Sequence, residues 1–225
     1  ACHFANIGVK VLLLDICPSQ LLDSEKEKGL TLKDTAVKNR VVKTSFFNTL
    51  KTKPSSLYLK ENKENIQLGN LEDDINKIKD SDWIIEVVVE KIEIKEKVFD
   101  LVDKNRTKGT LITSNTSGIP VEEMVKGREK DFVENFCVTH FFNPPRYMKL
   151  LEIVPGKETN EEVTSFLMKY GSLFLGKETV LCKDTPAFIA NRIGIYSIMS
   201  AMHTIDEMGL SVGEVDFLTG PKIGR

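Results

Sequence analysis

The sequence predicts an α/β chain: a doubly wound, largely parallel sheet followed by the start of an all-α region. Three observations predict it. Short runs rich in valine, isoleucine and leucine alternate with amphipathic helical stretches, as they do in a parallel sheet buried on both faces. Polar residues gather just past the ends of successive runs: Asp15, Glu90, Asn115 with Ser117, and His140 with Asn143. From Pro186 onward the apolar period becomes helical.

Residues 9–15 form the first run, and Cys17-Pro18-Ser19 then signals a turn and a helix around Gln20. Lys-rich sequence with scattered apolar positions over 32–50 and 56–64 reads as a helical hairpin. A strand at 66–68, a polar helix over 71–79 and the most strand-like run of the chain, 83–89, make a second unit, closed by Glu90. An amphipathic helix at 93–103, a strand at 110–113 and a helix starting at Pro120 follow. Strands are expected at 135–142, 149–154 and 179–182, with a helix over 160–174 ending at Gly176. Beyond a boundary near Asp184, the residues Ile189, Ile193, Tyr196, Met199, Met202 and Ile205 recur as an apolar stripe, expected to be a core face. The expected domains are therefore 1–184 and 185–225; the second is too short to stand alone and must pack on the first, on further sequence or on a second copy.

At 225 residues and 41% hydrophobic, the chain can bury a full core. Its 31 Lys and Arg against 33 Asp and Glu argue against nucleic acid or an anionic membrane as partner. Cys2, Cys17, Cys137 and Cys182 form no CxxC pair, and no zinc spacing joins them to His3, His140 and His203, so no metal is expected. No apolar run reaches the ~20 residues of a membrane span, and no signal-peptide pattern opens the chain. Cytoplasm is the expected compartment.

The stretch "ANIGVKVLLLDI", residues 5–16, has the form of the second strand of a dinucleotide-binding unit, ending in an acidic residue. In such units the acidic residue follows a Gly-rich phosphate loop by about 20 residues. That count places the loop and its strand ahead of residue 1. The fold is thus read as Rossmann-type, without its first strand and loop, with the carboxyl ends of the strands as the ligand crevice.

Among the histidines, His140 has a chemical setting, at the end of "FCVTH" with Glu152 in "KLLEIV". On adjacent antiparallel strands, the carboxylate would fix the imidazole tautomer and leave the other ring nitrogen free to take a proton. A core histidine and a surface glutamate is the competing reading. His3 and His203 are read as structural.

The motifs "THFFNPPRYMKLLEIVPG", "SNTSGIP", "WIIEVVVEKIEIKEKVF" and "KDTPAFIANRI" resemble the L-3-hydroxyacyl-CoA dehydrogenase family, NAD-dependent enzymes of fatty-acid β-oxidation. The tail is similar to bacterial members that continue into a second family-type domain and a hydratase-like region. The resemblance implies His140 as catalytic base, Glu152 as its partner, and Ser117 and Asn191 as residues holding the substrate oxygen. For NAD it implies Asp15 on the adenosine ribose, where a carboxylate disfavours a 2′-phosphate. Gln20, Glu90, Lys95, Asn115, Ser117 and Asn143 are further cofactor-site residues. The Lys-rich segment implies a place for CoA, with Lys38 and Lys43 near its phosphates. An acyl-CoA substrate and a homodimer through the helical domain are implied for the full-length protein. The chain as given is expected to be a portion truncated at both ends, weakly active or inactive alone. Two alternatives stand: an oxidoreductase on a 3-hydroxy acid without CoA, and a non-catalytic descendant. The latter would be marked by loss of the His-Glu or Ser-Asn pair, and all four residues are present.

Overall fold

In the computed structural model, which describes residues 1–221, the chain starts in a single helical turn, α1 (Cys2–Ala5), and enters β1 (Val11–Asp15). After α2 (Asp23–Lys26), α3 (Thr35–Lys38) and α4 (Arg40–Leu50), β2 (Ile66–Asn70) pairs in parallel with β1, setting Asp15 opposite Asn70. Phe46 of α4 packs with Ala5, Leu57 and Ile66, and Val11 and Leu13 lie against them.

Local chemistry overrides the sequence reading in this region. Gln20 lies in a loop, not a helix; its carbonyl accepts from Arg40 Nη2 at 2.8 Å. The helix begins at Asp23 because Glu25 reaches back to the Leu22 N–H (2.8 Å). The second arm of the expected hairpin is only a 3-10 helix, Lys60–Asn65. Its sequence, KENKEN, has no apolar stripe to bury. The polar helix expected over 71–79 is a turn followed by a second 3-10 helix, Ile75–Asp80. Asn70 Oδ1 takes the N–H groups of Glu72 (3.0 Å) and Asp73 (2.8 Å), a local alternative to α-helical bonding.

The remaining elements are β3 (Trp83–Glu86), α5 (Ile92–Asn105), β4 (Leu111–Ser114), α6 (Val121–Val125), α7 (Lys130–Glu134), β5 (Phe136–Phe141), β6 (Leu150–Pro155), α8 (Glu161–Leu173), β7 (Glu178–Leu181), α9 (Ala190–Met208) and α10 (Val212–Thr219). They build a five-stranded sheet in chain order, parallel except at the β5–β6 junction. β3 is shorter than the expected 83–89, because the Val88 N–H turns back to the Glu86 carboxylate (2.5 Å). β1 and β2 form a separate two-stranded sheet, and Leu12 and Leu14 of β1 pack on the main core.

That core lies on one face of the larger sheet, where Phe99, Phe132 and Phe136 meet at 5.4 to 5.8 Å between ring centroids. On the other face α8 presses Leu167 against Leu151 and Ile153. Gly171 permits that approach, since a Cβ there would lie 2.5 Å from Thr179 Cγ2.

Two residues in the left-handed region, Ala187 (φ 63°) and Phe188 (φ 48°), turn the chain into α9. Past its first turn α9 leaves the sheet. The stripe expected as a core face is consequently uncovered by the described residues, with Ile193 at 61% and Tyr196 at 75% exposure. Residues 222–225 of the expected helical domain lie outside the described residues.

Candidate active site

The β5–β6 register sets His140 directly opposite Glu152. Side chains of directly opposed antiparallel residues share a face, and His140 Nδ1 lies 2.7 Å from Glu152 Oε2. With Glu152 ionised, Nδ1 carries the proton and Nε2 is the free, basic nitrogen. Glu152 is fully buried, and its second oxygen accepts the N–H groups of Ile189 (3.0 Å) and Ala190 (2.8 Å). Phe142 and Phe188 flank the imidazole at 4.5 and 5.7 Å between centroids. Apolar walls on the ring and a fixed carboxylate behind it suit a base that works from Nε2.

The hinge that supplies those two N–H groups leads directly to Asn191 in the first turn of α9. It also touches the loop after β4: a Cβ on Gly118 would sit 3.6 Å from the Ala187 nitrogen. Ser117 is thereby brought to the same end of the sheet, and its hydroxyl has no partner among the described residues. The Ser117 N–H donates to Glu90 Oε1 at 2.8 Å, and the Thr116 hydroxyl donates to the same oxygen. Burial works to raise the Glu90 pKa, but these donors and the Lys95 ammonium hold it below the ordinary carboxylate value.

Asn115 serves the scaffold. Its N–H donates to the Glu86 carbonyl (2.8 Å), and its Oδ1 accepts from Phe141 N (2.9 Å), tying the end of β5 to β4. Lys95 does not reach an open surface: its side chain is 1% exposed, held by Glu86 at 2.9 Å and Glu90 at 3.3 Å. Asn143 is exposed in the loop after β5, at the mouth of the same end.

Asp15 ends β1, and its Oδ1 accepts from Ile16 N (2.8 Å), which leaves Oδ2 toward solvent. Val87 and Val89, in the loop after β3, are 67% and 58% exposed. A carboxylate for a ribose and bare apolar surface for a flat ring, both at carboxyl ends of strands, fit a dinucleotide.

The two lysines differ. Lys38 is bound by Asp73 (2.6 Å) and Glu72 (3.2 Å), so a phosphate would compete with two carboxylates for its ammonium. Lys43 is exposed on α4 without a side-chain partner among the described residues. Gln20 presents an exposed side chain from its loop.

Sequence reasoning missed Glu86 and the backbone donors of Ile189 and Ala190. Glu86 left a signal: an ionisable residue inside the apolar run "WIIEVVVE" demands a buried partner. The backbone donors left none.

The cysteines are free thiols. Burial pushes the Cys137 pKa up to about 12; burial and then the Glu152 carboxylate push Cys182 up to about 11. Burial and then Glu72 raise the Cys17 pKa as well, but Cys17 is partly exposed while Cys137 and Cys182 are buried, so alkylation with iodoacetamide at about pH 8 should label Cys17 well before either. Peptide mapping of the folded protein checks this, and Cys137 labelled as fast as in urea would contradict it.

The profile of the family described as "3-hydroxyacyl-CoA dehydrogenase, NAD binding domain" matches residues 1–185. A probable 3-hydroxyacyl-CoA dehydrogenase of Bacillus subtilis is 51% identical over all 225 residues, which span 28% of its length. A second, from Deinococcus radiodurans, is 40% identical over the whole chain, which spans 61% of it. The solved 3-hydroxybutyryl-CoA dehydrogenase of Escherichia coli aligns at a TM-score of 0.66 and 26% identity, over 91% of this chain and 39% of that one. With its strand-end residues, its opposed histidine and glutamate and these likenesses, the chain belongs to the 3-hydroxyacyl-CoA dehydrogenase family, in the part that carries the NAD-binding domain.

Proposed function

We propose that the protein oxidises L-3-hydroxyacyl-CoA to 3-ketoacyl-CoA with NAD, using His140 as general base. The observation that carries this reading is the buried His140–Glu152 contact at 2.7 Å, which leaves Nε2 free, with Phe188 at the turn into α9 packed against the ring. His140 Nε2 takes the proton of the 3-hydroxyl. Positive charge growing on the ring is balanced by Glu152, whose other oxygen is pinned by Ile189 and Ala190 and cannot swing away. The Ser117 hydroxyl and the Asn191 amide hold the substrate oxygen as it becomes a carbonyl. NAD, when bound, supplies the acceptor for the hydride that leaves C3.

Asp15 would hold the adenosine ribose, Glu90 and Asn143 would border the nicotinamide half, and Gln20 would lie at the rim. Lys95 acts behind Glu90. Lys43, and Lys38 in exchange for its carboxylate partners, would supply cations for the CoA phosphates. We place the domain boundary at 184/185, supported by the turn at Ala187 and Phe188 that starts α9. The uncovered stripe on α9 supports a homodimer through the helical domain of the full-length protein. No helix among the described residues is long and apolar enough to cross a membrane, which accords with a cytoplasmic enzyme. The test is NADH formation by the full-length protein from NAD and L-3-hydroxybutyryl-CoA or its longer homologues; absence of turnover at every chain length would refute the reading.

A further inference from the structure

Glu86 ends β3 with its side chain 1% exposed, and its carboxylate is a meeting point for donors. Oε1 accepts from Val88 N (2.5 Å) and Lys95 Nζ (2.9 Å); Oε2 accepts from Lys95 Nζ (2.9 Å) and the Ser114 hydroxyl (2.5 Å). Lys95 also reaches Glu90 Oε2 at 3.3 Å, and Glu90 Oε1 takes the Ser117 N–H at 2.8 Å. The ammonium thus stands between one carboxylate in the core and one at the site. Its place fixes that of Glu90, and Glu90 fixes the backbone of Ser117.

We propose that Glu86 is a positioning residue for the reaction: by holding Lys95 it holds Glu90 against the Ser117 backbone, and so sets where the Ser117 hydroxyl points. The inference rests on the proposed role of Ser117. A buried network of this kind acts as a unit, because each member is located by the charge of the next. Glutamine at position 86 keeps the volume and offers one acceptor oxygen instead of two, with no charge. The Ser114 hydroxyl can reverse to accept from the new amide. Lys95 then has a single full counter-charge, Glu90, and draws it off Ser117. Small misplacements of groups that hold the reacting atoms carry large rate costs.

A double-mutant cycle with Glu86→Gln and Glu90→Gln, read in kcat/KM for the acyl-CoA, separates this from a role in stability alone. Glu86→Gln should lower kcat/KM by about 10- to 100-fold in the otherwise native protein and by less than about 3-fold beside Glu90→Gln. Losses that multiply would overturn the proposal. Hydrogen exchange of the Ser117 amide, followed in the same intact variant, requires no turnover. It should accelerate at least about 10-fold while Val138 in β5 is unchanged. An unchanged Ser117 amide refutes the positioning role, whereas an accelerated amide in a protein with no dehydrogenase activity upholds the linkage and refutes the assigned reaction. If Glu86→Gln melts below assay temperature, the same cycle is read with Glu86→Asp, which keeps the charge but withdraws it from Lys95 by one methylene and should give the same pattern in milder form; multiplicative losses there also overturn the proposal.

Discussion

Replacing His140 by glutamine should lower kcat by about 10²- to 10⁴-fold, the range a positioned general base supplies. The imidazole is the group at this site with a free basic nitrogen and a carboxylate behind it, and an amide nitrogen cannot take the hydroxyl proton. The fold should survive. Glu152 keeps the N–H groups of Ile189 and Ala190, and the glutamine amide can donate to the carboxylate in place of Nδ1. Steady-state NADH formation beside a thermal melt checks both halves. A variant that keeps more than about a tenth of the rate removes His140 from the role of base.

The second large effect falls on stability. Lys95→Met keeps much of the volume of the lysine stem but strips the counter-charge from Glu86, whose carboxylate has no route to solvent. Breaking a buried pair by removing one partner costs about 3–5 kcal/mol, because the remaining charge stays buried without compensation. For a chain of this size each kcal/mol shifts Tm by roughly 2–4 °C, so a fall on the order of 10 °C is expected. Urea titration with unchanged slope would confirm a folded-state effect. A loss of less than about 1 kcal/mol would mean that Glu86 is held well enough by Val88 and Ser114 alone.

What could be read from the sequence follows how local each determinant is. His140 and Glu152 were legible because strand alternation and an antiparallel return place two such residues opposite each other. α8 was legible from its period and from Gly176 beyond its end. The acidic partner of Lys38 was hidden because Asp73 lies 35 residues away, and nothing near Lys38 announces it. The chain turn into α9 was hidden for a different reason. Left-handed backbone is normally marked by glycine, asparagine or aspartate, and here Ala187 and Phe188 adopt it while the packed Phe188 ring and the Glu152 carboxylate hold them there. The stripe on α9 shows the limit of periodicity, which reports that a helix face is apolar without naming what covers it. The Glu86–Lys95 pair lay nine residues apart across a strand and a helix, visible only as a charge in an apolar run.

The reaction proposed for this site is abstraction of a hydroxyl proton while NAD is reduced. The most direct test follows NADH absorbance when the full-length protein is mixed with NAD and L-3-hydroxybutyryl-CoA, with longer L-3-hydroxyacyl-CoA homologues in parallel. NADH and 3-ketoacyl-CoA should form in equal amounts, at a rate that Glu152→Gln and His140→Gln both depress. No NADH from any of these substrates, or equal rates in all three proteins, would contradict it.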